Sequence, residues 1–340
     1  MCRHQRGRRR DLAAYLSDED DPSEFFHRTS NQVAFCVGFG SSKPSGMDHK
    51  HELAAHRGFN FIRGIHDPDD VDGISKLEMR DSDIFVVTYP KSGTVWMQQI
   101  LLLLEAKGDM TVYSAAKMPC NGDLVPWIEV IGSREAFLTA PSPRLRVTHL
   151  PYHLMPAALR QKKGKVIYVA RNPKDVLVSY YHFHHLAKML VTPTSFEDFF
   201  EKFLRGDVFG SGWFQHVKTW YSHRDDIDMF FITYEEMIHD LNVSVKKLCT
   251  FLGKELTEEQ LADVVKYSTF SNMKKIPQAN YEHVSDDLFN HHMGRFMRKG
   301  TIGDWKNHFT VAQNEIFDQV FQREMEDFPV SFTWDMTDMA

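Results

Sequence analysis

Short apolar runs alternate with longer segments of helical periodicity from about residue 83 onward. The short runs are typical of buried parallel strands, and we predict strands at Asp83–Thr88, Leu145–Thr148, Lys165–Ala170 and Met229–Thr233. The longer segments predict helices at Val95–Lys107, Lys174–Lys188, Ser195–Leu204, Gly212–Ser222, Leu241–Leu252, Glu258–Tyr267 and Val311–Met325. Strands that alternate with helices predict an α/β fold, a single domain with a central parallel sheet flanked by helices.

Two of the predicted helices carry a recognisable start signal. Thr257 with Gln260, and Thr310 with Gln313, have the spacing of a capping box, which satisfies two backbone N–H groups at a helix N-terminus. In a parallel sheet of this kind, ligands bind outside the carboxyl ends of the strands. We therefore expect the functional residues to follow the strands directly.

The first 46 residues differ in composition from the rest. A basic run, Arg8–Arg10, and an acidic run, Asp18–Asp21, precede a Gly/Ser/Pro stretch from Gly38 to Gly46. Such a composition buries little apolar surface, so residues 1–46 are predicted to be a disordered extension and 47–340 the folded domain. Met47 is an alternative start of that domain. The acidic run disfavours an organelle-targeting sequence, which is usually poor in acids.

Composition narrows the class of protein. The 340 residues are 42% hydrophobic and 25% charged, with a formal net charge of −6, which argues against binding nucleic acid by bulk electrostatics. The longest apolar runs, such as Ile100–Leu104, are far shorter than the roughly 20 residues of a membrane helix. Four cysteines without metal or disulfide spacing favour a reduced compartment. We expect a cytoplasmic protein that does not bind membranes.

The loop Thr88–Trp96 joins the first predicted strand to the first predicted helix. A turn of this kind directs several free N–H groups of a helix N-terminus at one point, where they attract phosphate. The loop is not a Walker A sequence, because its lysine precedes its only glycine. Two interpretations stay open at this point, an anion-binding loop for a nucleotide or an ordinary strand–helix turn.

Further polar residues follow the other predicted strands. His149 follows the second, Arg171 the third and Tyr234 the fourth, and the cations Arg298 and Lys299 precede a glycine late in the chain. Each has a plain structural alternative: a packed histidine, a surface Arg–Asp pair, a core tyrosine and two solvated cations. Taken together, they would supply two separate phosphate sites. A ligand with anionic groups at both ends of a ribose would need both.

These segments resemble the cytosolic sulfotransferase family from about Phe59 to Trp334. The loop Thr88–Trp96 resembles its 5′-phosphosulfate loop, and Thr148–Pro151 resembles the segment that holds its catalytic histidine. Arg171 to Ser179 and Arg298–Gly300 resemble the two parts of its 3′-phosphate site. Within the family, four short segments look most like the amine sulfotransferase branch: Glu78–Asp83, Gly206–Val208, Trp220–Tyr221 and Ala279–His283.

The resemblance implies a P-loop-NTPase-like fold and the donor 3′-phosphoadenosine 5′-phosphosulfate (PAPS), released as adenosine 3′,5′-bisphosphate (PAP). It implies that His149 takes the acceptor's proton and that Lys91 stabilises the leaving group. His149 would have a usual pKa of roughly 6.5, suitable for a base near neutrality. Ser179 would hold Lys91 away until the acceptor is bound.

The resemblance also assigns the donor site residue by residue. Val95 replaces the threonine of phenol-acting members, which removes a hydroxyl but keeps a backbone N–H. The implied donor contacts are Lys91, Ser92, Gly93, Thr94, Val95, Trp96, Arg171, Ser179, Tyr234, Ser268, Thr269, Phe270, Met273, Phe296, Met297, Arg298, Lys299 and Gly300.

The implied acceptor pocket is lined by Trp127, Tyr152 and Phe183. The acceptor is expected to be a small hydrophobic molecule that carries an amine or a hydroxyl group, and phenols and sterols stay open. Val147 replaces a lysine of the phenol-acting members. A segment from Lys306 to Glu315 resembles the family's dimer contact and implies a homodimer.

Two other functions compete with this one. A P-loop-like kinase would prefer ATP with Mg²⁺, but the sequence lacks the Walker A lysine. A non-catalytic nucleotide-binding protein would need Lys91 but not His149. No metal is expected. Of the three histidines His182, His184 and His185, the first and last would share one helix face, but the sequence places no third ligand beside that pair.

Overall fold

The computed structural model describes residues 52–115 and 120–339. The predicted disordered extension lies outside the described residues. The described chain begins with an antiparallel hairpin, in which strand β1 (Leu53–His56) pairs with strand β2 (Phe59–Ile62).

A four-stranded parallel sheet follows, as the alternating pattern predicted. Its strands are β3 (Ile84–Thr88), β4 (Leu145–Thr148), β5 (Lys165–Ala170) and β6 (Met229–Thr233), in the order β4-β3-β5-β6. Asp83 directly precedes β3, and its carboxylate accepts from the guanidinium of Arg144, with Nε 2.7 Å from Oδ1.

The helices, in chain order, are α1 (Pro68–Ile74), α2 (Thr94–Glu105), α3 (Met110–Ala115), α4 (Asn121–Leu124), α5 (Ser133–Thr139), α6 (Pro173–Leu186), α7 (Phe196–Arg205), α8 (Trp213–Ser222), α9 (Tyr234–His239), α10 (Leu241–Leu252), α11 (Glu258–Tyr267), α12 (Phe270–Met273), α13 (Pro277–Asn280) and α14 (Val311–Met325). Short 3-10 turns occur at Tyr152–Leu154, Ala157–Gln161, Asp304–Asn307 and Met336–Met339. The seven predicted helices are all present, and both capping boxes form. None of the helices in the described ranges is long and apolar enough to cross a membrane.

Side chains of the central strand alternate between two cores. Phe85 and Val87 of β3 belong to one apolar cluster, while Val86 belongs to a second cluster on the other face of the sheet. This is the period-two alternation of a strand. Helices cover both clusters, so the strands are buried, and the loops that follow the strands meet at one edge of the sheet.

Candidate active site

A cavity of about 270 Å³ lies at the carboxyl edge of the sheet. The loops that follow all four strands contribute to its wall, together with residues 296–301. The predicted site residues that line it are Lys91, Gly93, Thr94, Val95, Trp96, Trp127, His149, Arg171, Ser179, Phe183, Tyr234, Phe270, Met273, Phe296, Met297, Arg298, Lys299 and Gly300.

The loop between β3 and α2 has a backbone shape that depends on glycine. Gly93 caps α2 with φ at 109°, in the left-handed region, and a Cβ there would lie 3.0 Å from the ring of Tyr234. Lys91 also has a positive φ, at 70°. The hydroxyl of Ser92 is buried without a hydrogen-bond partner. The loop therefore keeps one buried hydroxyl, that of Ser92, without a partner.

Lys91 lies between two aromatic rings. Its Nζ is 4.0 Å from the ring centroid of Phe183 and 4.4 Å from that of Phe296. Burial, together with the positive charges of Arg171 and Arg298, lowers the pKa of Lys91 to about 7. The ammonium is thus held by cation–π contacts among like charges, a setting that a bound anion would relieve.

Arg171 ties three loops together at the end of β5. It donates from Nη1 to the carbonyl of Lys91 at 3.1 Å and from Nη2 to the carbonyl of Thr301 at 3.3 Å. Its guanidinium carbon lies 4.2 Å from the ring centroid of Tyr234, while its Nε is buried without a partner. Two of the five N–H donors of the guanidinium are used in this way, and the Nε–H is among those that remain for a ligand.

Arg298 and Lys299 both form an ion pair with the carboxylate of Asp304. Arg298 Nη1 lies 2.6 Å from Oδ2 of Asp304, and Lys299 contacts the other carboxylate oxygen. Burial raises the pKa of Asp304, but hydrogen bonds from Lys299, Asn307 and Arg298 outweigh it and lower the pKa overall. Asp304 therefore stays ionised and orients both cations.

Gly300 completes this cationic segment. Its φ is 67°, and a Cβ there would lie 2.2 Å from a ring carbon of Phe270. Only glycine allows the chain to pass so close to that ring.

Trp96 and Tyr234 form an aromatic part of the cavity wall. Trp96 donates from Nε1 to the carbonyl of Ser268 at 2.7 Å, and its ring meets the edge of the Tyr234 ring at a centroid distance of 5.1 Å. Ser92, Ser268 and Thr269 lie beside this wall and not in the cavity lining. Such a surface suits the stacking of a purine base.

His149 has a defined proton position. Its Nδ1 lies 2.6 Å from the backbone carbonyl oxygen of Thr88, so Nδ1 carries the proton and Nε2 keeps its lone pair. Burial lowers the pKa of His149 to about 3, well below the ordinary value expected from the sequence. The imidazole is therefore neutral near pH 7 and available to accept a proton.

The carboxyl of Glu129 contacts the backbone of His149. Its Oε1 accepts the backbone N–H of His149 at 2.8 Å, and its Oε2 is buried without a partner. Burial raises the pKa of Glu129 to about 7. The ring of Trp127 lies 4.5 Å from that of His149, so an indole packs beside the imidazole while the Glu129 carboxyl contacts the backbone of the same residue.

The acceptor side of the cavity differs in part from the sequence prediction. Trp127 and Phe183 line the cavity, but Tyr152 does not. The Tyr152 ring stacks on His223 at a centroid distance of 3.9 Å and meets the edge of Trp220 at 5.4 Å. That packing holds the phenol in the core, away from the cavity.

The cavity is also lined by residues that the sequence did not predict as site residues. Among them are His66, Glu129, Phe209, Tyr281 and Phe289. Only Glu129 had a signal in the sequence, since a lone acid within the apolar stretch Trp127–Val130 is unusual for a core segment. The others come from segments remote in sequence.

The three histidines of α6, His182, His184 and His185, are packing residues. His184 Nδ1 lies 2.8 Å from the carbonyl of Val191, His182 packs on His308 and His185 packs on Tyr181. In the described ranges no group of three His, Cys, Asp or Glu side chains is arranged to hold a metal ion.

Comparison with protein-family models matches residues 81–329 to a sulfotransferase domain. Among known proteins, the chain is 45% identical to an amine sulfotransferase of Oryctolagus cuniculus over 297 residues, covering 86% of this chain and 98% of the relative. It is 42% identical over 285 residues to sulfotransferase 2B1 of Rattus norvegicus, covering 84% of this chain and 83% of the relative.

Solved structures give the same result. Mouse sulfotransferase SULT7A1 complexed with PAP superimposes with a TM-score of 0.69 at 31% identity, covering 82% of this chain and 96% of that one. A retinol dehydratase in a complex with retinol and PAP superimposes with a TM-score of 0.68 at 25% identity, covering 93% and 98%.

Proposed function

The chain belongs to the sulfotransferase family, and from this premise we propose that it transfers a sulfuryl group from PAPS to an amine or hydroxyl group of a small hydrophobic acceptor. The observation that carries the proposal is the meeting of Lys91 and a neutral His149 at the wall of one cavity. A protein that only bound a nucleotide would need the lysine but not the imidazole.

The donor is PAPS and the released product is PAP, the molecule named in the titles of both structural relatives. Its site in this chain fits an anion at two places. Ser92 and Arg171 each keep a buried polar atom without a partner, and the positive φ values of Gly93 and Gly300 let the two loops pass close to the rings of Tyr234 and Phe270. We assign the first phosphate to the loop around Lys91 and the second to Arg171, Ser179 and Arg298–Gly300. PAPS supplies the activated sulfuryl group.

We assign a separate role in the reaction to each of His149, Lys91 and Ser179. The lone pair of His149 Nε2 accepts the proton that the acceptor loses as it attacks. The ammonium of Lys91 stabilises the negative charge that develops on the oxygen leaving with the nucleotide. Transfer of this kind depends mainly on in-line positioning and electrostatic stabilisation. Ser179 lines the same cavity, and we assign its hydroxyl to holding Lys91 away until the acceptor binds.

The acceptor site favours an amine. The relative of 45% identity is named an amine sulfotransferase, and the acceptor half of the cavity is lined by apolar rings such as Trp127, Phe183 and Phe209. An amine must lose a proton before it can attack, and burial in an apolar site disfavours the ammonium form. Phenols and sterols are the alternative acceptors.

A direct assay tests the proposal. The purified protein is incubated with labelled PAPS and a panel of amines, phenols and sterols, and sulfonated product is measured. We expect the highest kcat/KM for amines. In a thermal-shift comparison, PAP should stabilise the protein more than ADP with Mg²⁺. Equal shifts, or none with PAP, would contradict the proposal and favour a kinase-like function.

We also propose a homodimer through Lys306–Glu315. At the start of α14, the apolar side chain of Val311 is 77% exposed, and a partner subunit would cover it. Sedimentation analysis should give twice the monomer mass, and Val311→Glu should reduce it to the monomer. The cytoplasmic location stays a prediction.

A further inference from the structure

His66 lies in the cavity wall with one nitrogen unused. The residue is 9% exposed and lines the cavity. Its ring stacks on Phe209 at a centroid distance of 5.1 Å and an interplanar angle of 26°. In the described part of the chain, only Nδ1 of His66 has hydrogen-bond contacts. Its Nε2 is therefore left for a ligand.

The contacts of Nδ1 decide which nitrogen carries the proton. Nδ1 lies 3.2 Å from both the backbone N–H and the carbonyl oxygen of Ile62. That carbonyl oxygen already accepts the N–H groups of Ile65 and His66, each at 3.2 Å. The N–H of Ile62 needs an acceptor, so Nδ1 is unprotonated and Nε2 carries the hydrogen. Burial lowers the pKa of His66 to about 4, so the ring is neutral near pH 7.

Phe209 packs against both His66 and the catalytic His149. Its ring centroid is 5.1 Å from that of His66 and 5.8 Å from that of His149, so the two imidazole centroids are at most about 11 Å apart. Both imidazoles line the same cavity, so one small acceptor can contact both.

We propose that His66 selects acceptors that carry a neutral hydrogen-bond-accepting oxygen, a carbonyl, ether or hydroxyl, remote from the group that is sulfonated. The proposal rests on the proposed function and narrows its substrate class to bifunctional acceptors. The reacting nitrogen or oxygen faces His149, and the distal oxygen accepts the N–H of His66 Nε2. A donor buried in an apolar wall costs free energy when it is left unpaired, so an acceptor without that oxygen is penalised.

The test uses pairs of acceptors that differ by one oxygen. One pair is a piperidine with a benzyl or a benzoyl group opposite its nitrogen, and a second is a tetrahydronaphthol and the matching hydroxytetralone. For each pair, kcat/KM is measured with the parent enzyme, His66→Leu and His66→Gln. The glutamine keeps an N–H near the position of Nε2. His153→Leu, at an exposed histidine outside the cavity lining, is the matched control.

The preference is the ratio of kcat/KM for the oxygen-bearing acceptor to kcat/KM for the other member of its pair. Dividing the preference of a variant by that of the parent cancels the intrinsic reactivity of the acceptors. We expect His66→Leu to reduce the preference for the oxygen-bearing acceptor about three- to tenfold, through KM and not kcat. We expect His66→Gln to recover part of the preference, His153→Leu to change nothing, and PAP binding to be equal in all four proteins.

An unchanged preference in His66→Leu would overturn the inference while sulfuryl transfer itself stands. Parent enzyme that sulfonates neither member of either pair, and binds no PAP, would overturn the proposed function and this inference with it. If His66→Leu fails to bind PAP, the comparison of His66→Gln with the parent decides, and loss of the preference there contradicts the role of the N–H.

Discussion

The Nδ1 atom of His149 lies 2.6 Å from the backbone carbonyl oxygen of Thr88. Thr88 ends β3, and the same residue begins the loop that carries Lys91. A second contact connects Thr88 to the other end of this loop: the hydroxyl of Thr88 lies 2.7 Å from the hydroxyl of Thr94 at the start of α2. These contacts fix the position of His149, the proposed base, relative to the loop that carries Lys91, at the ends of two adjacent strands.

Removal of the imidazole is the first prediction. His149→Ala should lower kcat by about two to four orders of magnitude, the usual contribution of a general base. PAP affinity should stay nearly unchanged, because Nδ1 faces a backbone carbonyl and not the cationic groups. Isothermal titration with PAP and a product assay measure the two quantities. Turnover at the parent rate would show that another group is the base.

The sequence predicted the sheet and the site's position because both follow local rules. Each strand of the parallel sheet is a short apolar run, and Lys165–Ala170 is found with the predicted bounds. The polar residues that follow the strands meet because parallel strands end at one edge. Spacing alone could not show that Tyr152 turns into the core, since that depends on packing against His223.

The pKa values of the site residues could not be predicted from the sequence either. The sequence predicts the ordinary pKa of a histidine for His149, but burial lowers that pKa to about 3. His66 reaches the cavity from the segment between β2 and α1, far from the other site residues in the chain. Its approach depends on how β2 packs on Phe209, which no local pattern records.

Lys91 predicts a pH dependence of donor binding. Burial and the charges of Arg171 and Arg298 lower its pKa to about 7, whereas a bound anion favours the charged form. Below pH 7 the lysine is already charged, and above pH 7 binding must take up a proton. PAP affinity should therefore fall by up to about tenfold per pH unit from pH 7 to 9. Calorimetry in buffers of different ionisation enthalpy should detect the proton uptake.

Two variants separate this effect from a general loss of charge. Lys91→Met should bind PAP more weakly and with no pH dependence in that window. Lys299→Met should also weaken binding, because it removes a cation of the second phosphate site, but it should keep the slope. A slope that survives in Lys91→Met would assign the proton to another group.

Arg298 should contribute strongly to donor binding. Arg298→Ala removes a guanidinium that Asp304 orients at 2.6 Å, and a lost charge-assisted hydrogen bond costs about 1.5 to 3 kcal/mol. The Kd for PAP should rise about tenfold to a hundredfold. Arg295→Ala is the control, since Arg295 is 68% exposed and pairs with Glu282. If both variants bind PAP as the parent does, Arg298 does not belong to the phosphate site.

Glu129 predicts how stability depends on pH. Burial raises the pKa of Glu129 to about 7 from an ordinary value of 4.5. Between these values the folded protein binds more protons than the unfolded chain, so the Glu129 contribution to the free energy of unfolding falls as pH rises. Glu129→Gln keeps an oxygen for the N–H of His149 but does not titrate.

The quantity to measure is the difference in unfolding free energy between Glu129→Gln and the parent, from denaturant titrations at pH 5 and pH 8. Contributions of other groups, such as Glu235, whose pKa burial also raises, are common to both proteins and cancel. The difference should shift in favour of the variant by about 2 to 3 kcal/mol on going to pH 8. Glu135→Gln, at an exposed site of α5, should show no such shift. A constant difference for Glu129→Gln would mean that its carboxyl is ionised in the folded protein throughout this range.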